Sequence, residues 1–290
     1  MPELPEVETI RRQLEPLLVG RRVERAGSHP SARFVAAGDA VGATATAVDR
    51  RGKYLLVGLD DHRELVIHLG MTGVLRPRSP GASPLDPHIR AWWDLDDSSG
   101  LELRDPRRFG RVAVVPAGDH TGLATLHRLG PEPLTDGFTA VGLWVALRAS
   151  SARVKTQLLA QRAVAGVGNI YADEALWQAG IDPRARRVSR AEAATLHEAI
   201  RAVLSAAVDH GGTTLRDYRT VAGGPGRNQH HLACYGRAGA PCLRCGAVLV
   251  RVVVDGRGTT WCPACQRGGR LQYTAPKPRV RRPRRRPIAS

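Results

Sequence analysis

The sequence predicts an α+β protein of several domains, in which a leading helix and an antiparallel β-sandwich precede a helical domain and a small cysteine module. Between residues 43 and 115, short segments with alternating apolar residues are separated by turn residues, a pattern typical of antiparallel strands. Residues 140–209 carry apolar residues at helical spacing, and two Cys-x-x-Cys pairs follow near the C-terminus. A chain of 290 residues is long enough to form two separate cores.

The first predicted domain covers residues 1–118. Its leading helix is predicted over residues 5–19, where apolar residues from Val7 to Leu18 recur on one face and Gly20 ends the pattern. Six short strands with turns between them are typical of an antiparallel sandwich or barrel. The predicted strands are Ala43–Asp49, Lys53–Leu59, Glu64–His68, Ala91–Asp96, Leu101–Arg104 and Arg111–Val115.

A segment rich in Gly, Pro and Thr, residues 119–137, is predicted to be a linker to a helical domain over residues 138–235. Residues 211–235 have the composition of loops. The predicted helices are Ala140–Ala149, Val154–Ala160, Tyr171–Ala179 and Arg190–Asp209.

Four cysteines predict a structural metal site. Cys242 and Cys245 form one Cys-x-x-Cys pair, and Cys262 and Cys265 form a second pair after sixteen intervening residues. Two such pairs hold one Zn²⁺ tetrahedrally, and a closed four-Cys shell is structural rather than catalytic. The module, residues 236–269, is predicted to be a zinc-finger hairpin, and we expect Arg257 near its tip to contact phosphate.

The charge predicts a polyanionic partner. The chain has 43 basic and 27 acidic residues, a net charge of +16, and eight of the basic residues lie in a predicted disordered tail over 270–290. The remainder therefore still carries a net charge of +8, which favours nucleic acid. No apolar run has the length of a membrane span, and paired cysteines favour a reducing compartment. We therefore expect a cytoplasmic protein with no membrane partner.

The N-terminus suggests covalent chemistry. If Met1 is removed, Pro2 becomes a secondary amine that is partly unprotonated near neutral pH and can attack an electrophilic carbon to form an iminium. Glu3 lies directly beside it and can exchange a proton at the same centre. Taken alone, a Pro-rich acidic start is also a common way to begin a helix.

A short glycine-containing segment, Ala165-Gly-Val-Gly-Asn169, predicts a tight turn between two helices. The N–H groups at the start of the second helix would be available to bind a phosphate, because the helix dipole favours an anion there. Asn169 could add a side-chain contact.

These pieces together resemble the formamidopyrimidine-DNA glycosylase family, the bacterial enzymes that excise oxidised purines. The string PELPEVETIRR is similar to the N-terminus of that family, QRAVAGVGNIYADE to its helix–two-turns–helix element, and the paired cysteines to its zinc finger. The matches occur in the family's order across nearly the whole chain. Glycine-flanked Met71 and the pair Arg107 and Phe109 match the trio that fills the space left by an extruded nucleotide.

The resemblance implies a role for each matched residue. Pro2 would be the nucleophile, Glu3 the proton donor, Lys53 the lysine of β-elimination, and Arg257 the arginine of δ-elimination. Further matched positions imply DNA contacts by His88 and Asn169 and a place in the base-pocket region for Lys155. The implied protein is a monomeric bacterial glycosylase and AP lyase that binds damaged double-stranded DNA, associates with the nucleoid when bound to it, and carries one structural Zn²⁺.

Two positions depart from the family pattern. Asp86-Pro-His88-Ile-Arg90 stands where the family has a Lys-His-x-His-like run, and the loop Gly224–His231, expected to cover the flipped base, lacks aromatic residues after Pro-Gly. The second departure leaves open an endonuclease VIII-like preference for oxidised pyrimidines. A non-catalytic zinc protein that binds damaged DNA would share the basic surface but would not need Pro2, Glu3 and Lys53. The arginine-rich tail alone would also suit a ribosome-associated zinc protein.

Overall fold

The computed structural model describes residues 1–79, 81 and 86–271. Helix α1 spans Leu4–Leu18, and its buried face, including Val7, Ile10 and Leu14, packs on the core of the first domain. The predicted tail lies outside the described residues from 272 onward. Arg270 exchanges backbone hydrogen bonds with Arg187. In the part of the chain that the structure describes, no helix combines the length and apolar character needed to cross a membrane.

The first domain is a sandwich of two antiparallel sheets. One sheet has the order β1-β6-β7-β5 and the other the order β2-β3-β4-β8. Their shared core includes Phe34, Leu55, Leu75 and Leu103, all fully buried. The strands are β1 (Val23–Ser28), β2 (Ala45–Arg51), β3 (Tyr54–Leu59), β4 (Arg63–His68), β5 (Val74–Pro77), β6 (Ile89–Leu95), β7 (Gly100–Arg104) and β8 (Arg111–Pro116), with a 3-10 helix over Val35–Ala40 before β2.

The six predicted strands are all present, and two further strands were not predicted. Both β1 and β5 are edge strands. Only Val23 is fully buried in β1, and only Leu75 in β5, so neither strand carries the alternation of apolar residues that marks a strand in sequence.

The second domain is helical, with its own core around Leu158, Leu176, Leu196 and Ile200. Leu4 of α1 is part of this core, so the N-terminus of the chain is fixed in the helical domain. The helices are α2 (Ala124–His127), α3 (Ala140–Arg148), α4 (Val154–Leu159), α5 (Asn169–Gln178) and α6 (Arg190–Asp209). Helix α2 is a single turn within the segment predicted as a linker.

The C-terminal module is a hairpin of β9 (Val250–Val254) and β10 (Arg257–Trp261). Its small core consists of Cys234, Cys242, Leu249 and Cys262, with Trp177 of α5 packed against it. The predicted fold class is therefore confirmed: a leading helix with an antiparallel sandwich, a helical domain and a four-Cys hairpin.

Candidate active site

The first residues of the chain are buried against the start of α5. Pro2 is buried, and Glu3 is 2% exposed. The Glu3 carboxylate accepts hydrogen bonds from the N–H groups of Gly168 at 2.6 Å, Ile170 at 2.9 Å and Tyr171 at 3.4 Å. A carboxylate at this end of a helix is stabilised by the unpaired N–H groups and by the helix dipole.

This geometry corrects one prediction from the sequence. The turn before α5 does present free N–H groups, but three of them bind Glu3 rather than a phosphate. The sequence could not reveal the partner, because Glu3 and Gly168 are 165 residues apart. The anion-binding turn therefore orients a side chain of the site itself.

Glu6 is a second buried carboxyl group, and the sequence analysis did not assign it a role in the site. It accepts hydrogen bonds from the Tyr171 hydroxyl at 2.5 Å, the Thr213 N–H at 2.7 Å and the Glu3 N–H at 2.7 Å. Burial and the neighbouring Glu3 raise the pKa of Glu6 to about 7. In the sequence, Glu6 stands three residues after Glu3 at the start of a helix, which is a pattern typical of helix capping. That Glu6 holds a proton near neutral pH is evident only from its burial in the structure.

Lys53 faces this pair of carboxyl groups. It directly precedes β3 and is 7% exposed. Burial lowers the pKa of Lys53 and the nearby Arg257 lowers it further, whereas Glu3 and Glu6 raise it. Three ionisable groups from distant parts of the sequence therefore interact electrostatically with Lys53: Glu3, Glu6 and Arg257.

Glu132 fixes the turn that precedes Lys53. Its carboxylate accepts hydrogen bonds from the Gly52 N–H at 2.6 Å, Arg51 at 2.8 Å and Arg50 at 2.6 Å. Gly52 has a φ of +57°, which favours glycine. Glu132 lies in the segment between the domains, so the orientation of Lys53 depends on that connection as well as on the sheet.

The finger reaches the same site through one backbone carbonyl. The Gly258 oxygen accepts hydrogen bonds from the Asn169 side-chain amide at 3.1 Å and from Lys155 Nζ at 3.2 Å. These bonds hold the start of β10, and with it the exposed Arg257, over the N-terminal end of α5. Asn169 therefore connects the finger to the site.

Lys155 is placed differently from its predicted role in the base-pocket region. Its side chain is fully buried, and Nζ donates hydrogen bonds to the Thr259 hydroxyl at 2.7 Å and to the Gly258 carbonyl. It also forms an ion pair with Asp173 at 2.7 Å. Lys155 therefore joins α4 and α5 to the finger, and its buried ammonium group does not face the solvent from which DNA would approach.

The predicted trio of space-filling residues comes together on two adjoining loops. Met71 is 36% exposed and Phe109 45% exposed, and the Arg107 guanidinium lies 4.7 Å from the centre of the Phe109 ring. Buried Asp105 ties the loops together, since its carboxylate accepts hydrogen bonds from the Thr72 hydroxyl at 2.6 Å and the Gly110 N–H at 2.7 Å.

Two histidines lie near these loops. His88 is partly buried, and its carbonyl oxygen accepts a hydrogen bond from the Asp105 N–H at 2.9 Å. His68 lies 4.5 Å from the Tyr54 ring, and burial together with nearby Lys53 lowers its pKa to about 4. A histidine with that pKa is neutral at physiological pH, so His68 can serve there as a hydrogen-bond donor or acceptor but not as a cation.

Two cavities meet at the N-terminus. A cleft of about 510 Å³ is lined by basic and aromatic residues, among them Lys53, His68, Phe109 and Arg111. A pocket of about 410 Å³ lies near Met71 and Arg107. Met1 lines both cavities, so the first residue of the chain separates them.

The pocket near Met71 is lined by residues that precede the loop Gly224–His231, and the role of that loop in covering a flipped base stays a prediction. Its lining includes Leu215, Arg216, Asp217 and Tyr218, whereas no residue of Gly224–His231 lines it. That second segment supports the lining from behind: the Asn228 side-chain amide donates to the Thr213 hydroxyl at 2.9 Å, and the rings of His210 and His231 stack at 3.9 Å. Tyr218 thus provides an aromatic side chain where Gly224–His231 has none.

The four predicted metal ligands form one cluster. The sulfur atoms of Cys242, Cys245, Cys262 and Cys265 all lie within 4.8 Å of one another. Zinc–sulfur bonds of about 2.3 Å in a tetrahedron require sulfur atoms about 3.8 Å apart, and the Cys242–Cys265 and Cys245–Cys262 distances are 4.0 and 3.6 Å. Trp177 donates its indole N–H to Cys242 Sγ at 3.3 Å. The cluster fits one structural zinc ion.

Known protein families match each of the three parts of this chain: the first domain, the helical domain and the finger. Three family models match: "Formamidopyrimidine-DNA glycosylase N-terminal domain" over residues 1–112, "Formamidopyrimidine-DNA glycosylase H2TH domain" over 129–219, and "Zinc finger found in FPG and IleRS" over 239–268. A formamidopyrimidine-DNA glycosylase of Deinococcus radiodurans is 45% identical over 279 residues, covering 92% of this chain and 97% of the relative.

Solved structures agree with the sequence matches. The crystal structure of the MutM (FPG) protein of Thermus thermophilus has a TM-score of 0.83 at 46% identity and covers 92% of this chain and 100% of that one. A complex of a Lactococcus lactis FPG variant with Fapy-dG-containing DNA has a TM-score of 0.82 at 35% identity, with the same two coverages.

Proposed function

This chain belongs to the formamidopyrimidine-DNA glycosylase family, and we propose that it excises oxidised purines from duplex DNA and then cuts the strand at the resulting abasic site. The observation that carries the proposal is the position of Pro2. It lies beside Glu3, Lys53 acts electrostatically on the same carboxyl group, and Met1 in front of Pro2 separates the two cavities. Removal of Met1 would expose a secondary amine where the cavities meet.

In the first step, the Pro2 nitrogen attacks C1′ of the damaged nucleotide and the bond from C1′ to the base breaks, so that the base leaves with a proton. Glu3 takes up a proton from the neighbouring Glu6, whose pKa is about 7, and donates it to the ring oxygen O4′. The bond between C1′ and O4′ breaks, and the nitrogen lone pair completes an iminium at C1′.

In the second step, the iminium acidifies the C2′ proton, and elimination breaks the bond to the 3′ phosphate. Burial lowers the pKa of Lys53, which increases the fraction of neutral amine able to accept that proton. A second elimination removes the C4′ proton and releases the 5′ phosphate, where the exposed Arg257 can stabilise the departing charge. Water then hydrolyses the iminium and frees Pro2. Zinc has no part in these steps and holds the finger in place.

The damaged nucleotide must leave the duplex for C1′ to reach Pro2. We propose that Met71, Arg107 and Phe109 fill the space it leaves, which their exposure and shared support by Asp105 favour. His88 and Asn169 are proposed to contact the DNA around the lesion. The protein is proposed to act as a monomer on DNA in the bacterial cytoplasm, and the DNA complexes of its relatives support the choice of partner.

Borohydride trapping tests the proposal directly. The protein with Pro2 at its N-terminus is incubated with a duplex that carries one 8-oxoguanine opposite cytosine, and in parallel with a thymine-glycol duplex. We expect a covalent adduct that mass spectrometry maps to Pro2 and that forms faster with 8-oxoguanine. Faster trapping with thymine glycol would instead indicate the endonuclease VIII-like preference.

Two variants make the test specific. Pro2→Gly should retain DNA binding and lose most lyase activity, because its primary amine is poorly placed. Pro5→Ala is the matched control, since it changes the neighbouring proline and leaves Pro2 in place. Full lyase activity in Pro2→Gly would refute the assignment of Pro2 as nucleophile. The assignment would also be refuted if the unmodified protein bound 8-oxoguanine, thymine-glycol and abasic duplexes tightly without forming an adduct with any of them.

A further inference from the structure

A separate cavity of about 570 Å³ lies at the opposite end of α6 from the active site. The C-terminal end of α6 leads to Thr213, which binds Glu6, whereas its first residue, Arg190, lines the cavity. Helix α6 has 20 residues, so about 30 Å separate the two places. The principal lining residues are Trp144, Arg148, Arg187, Arg190, Arg267 and Arg270.

The positive charge of this cavity is left almost uncompensated. Glu192 is the one carboxylate in its lining. Its two oxygens are occupied by the N–H groups of Ser189 at 2.7 Å and Gly269 at 2.6 Å. Among the described residues, no ion pair involves Arg148, Arg190 or Arg267. Leaving Arg187 aside, four arginines of the lining stand against one carboxylate, so the cavity has a net positive charge that attracts anions.

Part of the arginine cluster is already held in a fixed geometry. The Arg148 guanidinium lies 4.8 Å from the centre of the Trp144 ring, and Arg187 donates a hydrogen bond to the Ser150 carbonyl. Side chains held in this way lose less conformational freedom when they bind a ligand. Planar guanidinium groups match the oxygens of phosphate, and they bind it in pairs of hydrogen bonds.

We propose that this cavity binds backbone phosphates of a second stretch of nucleic acid, outside the lesion site. The basic segment 272–290 begins two residues after Arg270 and cannot neutralise the cavity, because it adds charge of the same sign. A protein whose net charge is +16 and whose proposed substrate is DNA meets phosphate backbone as its most abundant anion. The choice of DNA as ligand rests on the proposed function.

The test compares two double variants of the full-length protein that lose the same charge. Arg190→Gln/Arg267→Gln changes the cavity, and Arg22→Gln/Arg25→Gln, the β1 variant, changes two exposed arginines just before and on β1. Binding of a 30-base-pair undamaged duplex is measured from 50 to 200 mM salt. Losing two phosphate contacts should lower the slope of log affinity against log salt by about 1.8. The ratio of the DNA affinity of the unmodified protein to that of the cavity variant should therefore fall about tenfold as the salt concentration rises from 50 to 200 mM.

A short lesion duplex separates this proposal from the proposed function. Six base pairs on each side of a lesion extend about 20 Å, which is too short to reach the cavity. The cavity variant should therefore cleave this duplex at the unmodified rate in single turnover. Failure of the unmodified protein to cleave it would count against the proposed function alone.

Four results would overturn the inference. The first is an unchanged salt slope in the cavity variant, and the second is an equal loss in the β1 variant, which would mean that net charge alone is responsible. The third is loss of affinity for polyglutamate with DNA binding unchanged, which would assign the cavity to an acidic protein segment. Competition by inorganic phosphate alone, without any change in DNA binding, would likewise exclude a nucleic-acid site.

Discussion

Replacing Lys155 with methionine is expected to destabilise the helical domain and the finger by about 3–5 kcal/mol. The Lys155 ammonium and the Asp173 carboxylate lie 2.7 Å apart, and both side chains are completely inaccessible to solvent. Methionine has a similar length but no charge, so Asp173 would be buried without its counterion and would have to take up a proton, since burial already raises its pKa to about 6. It would also remove the hydrogen bonds from Lys155 to Thr259 and Gly258 of the finger.

Thermal unfolding of the zinc-loaded protein measures this effect. A change of 1 kcal/mol shifts Tm by roughly 2–4 °C in domains of this size, so a decrease of roughly 6–20 °C is expected. The double variant Lys155→Met/Asp173→Leu should recover much of the loss, because it removes the isolated charge as well. The matched control is Arg153→Met: this arginine precedes α4 and pairs with Asp255 of the same hairpin, but the pair is exposed and should contribute under about 1 kcal/mol.

The opposite pattern would refute this reasoning. Suppose that the Tm of Lys155→Met lies within about 2 °C of the Tm of the unmodified protein, which is less than the expected shift. If that variant nevertheless loses affinity for lesion DNA, the lysine acts on DNA. The role first predicted for it from the sequence would then be correct, and the buried ion pair would not describe the protein in solution.

Three further predictions concern neighbouring groups. Glu132→Gln should slow β-elimination at a preformed abasic site about tenfold with little change in DNA affinity, because the turn before Lys53 loosens; an unaltered rate would contradict the positioning role. Unfolding free energy should fall by about 3 kcal/mol from pH 5 to pH 8 through Glu6, which keeps its proton up to about 7 when folded and loses it near 4.5 when unfolded. Urea unfolding at both pH values should therefore give a smaller change in unfolding free energy for Glu6→Gln than for the unmodified protein. The same change in both proteins would rule out this role of Glu6. Removing zinc with a chelator should unfold β9 and β10 and abolish tight DNA binding while circular dichroism still detects the sandwich, whereas intact affinity without metal would disprove the structural role.

Local patterns predicted most of the fold. The apolar face of α1, the alternation in the central strands and the spacing of the four cysteines each depend on residues close in sequence, and each was found in the structure. The strands β1 and β5 were missed because their sequences, VERAGS and VLRP, lack the alternation of apolar residues that marks a strand, whereas β2 and β8 are also edge strands and were predicted.

The candidate site was harder to predict than the fold because its contacts are long-range. Sequence alone named Glu3 and the turn before α5, but it treated them as two separate features. Lys155 was assigned to the base-pocket region by the family resemblance alone, and its burial depends on Asp173 and on a hairpin more than one hundred residues away. The roles proposed for Pro2, Lys53 and Arg257 stay predictions until the variants are measured.

The contact between Glu3 and the start of α5 also sets an order of events during synthesis. Pro2 and Glu3 leave the ribosome first, but the amides that hold them belong to Gly168, Ile170 and Tyr171. At about 5–20 residues per second, roughly 10–30 s pass before those amides have been made. During that interval the N-terminus has no docking site, so Met1 stays accessible to a peptidase. The late position of the helical domain in the chain would thus allow Pro2, the proposed nucleophile, to be unmasked before it is enclosed.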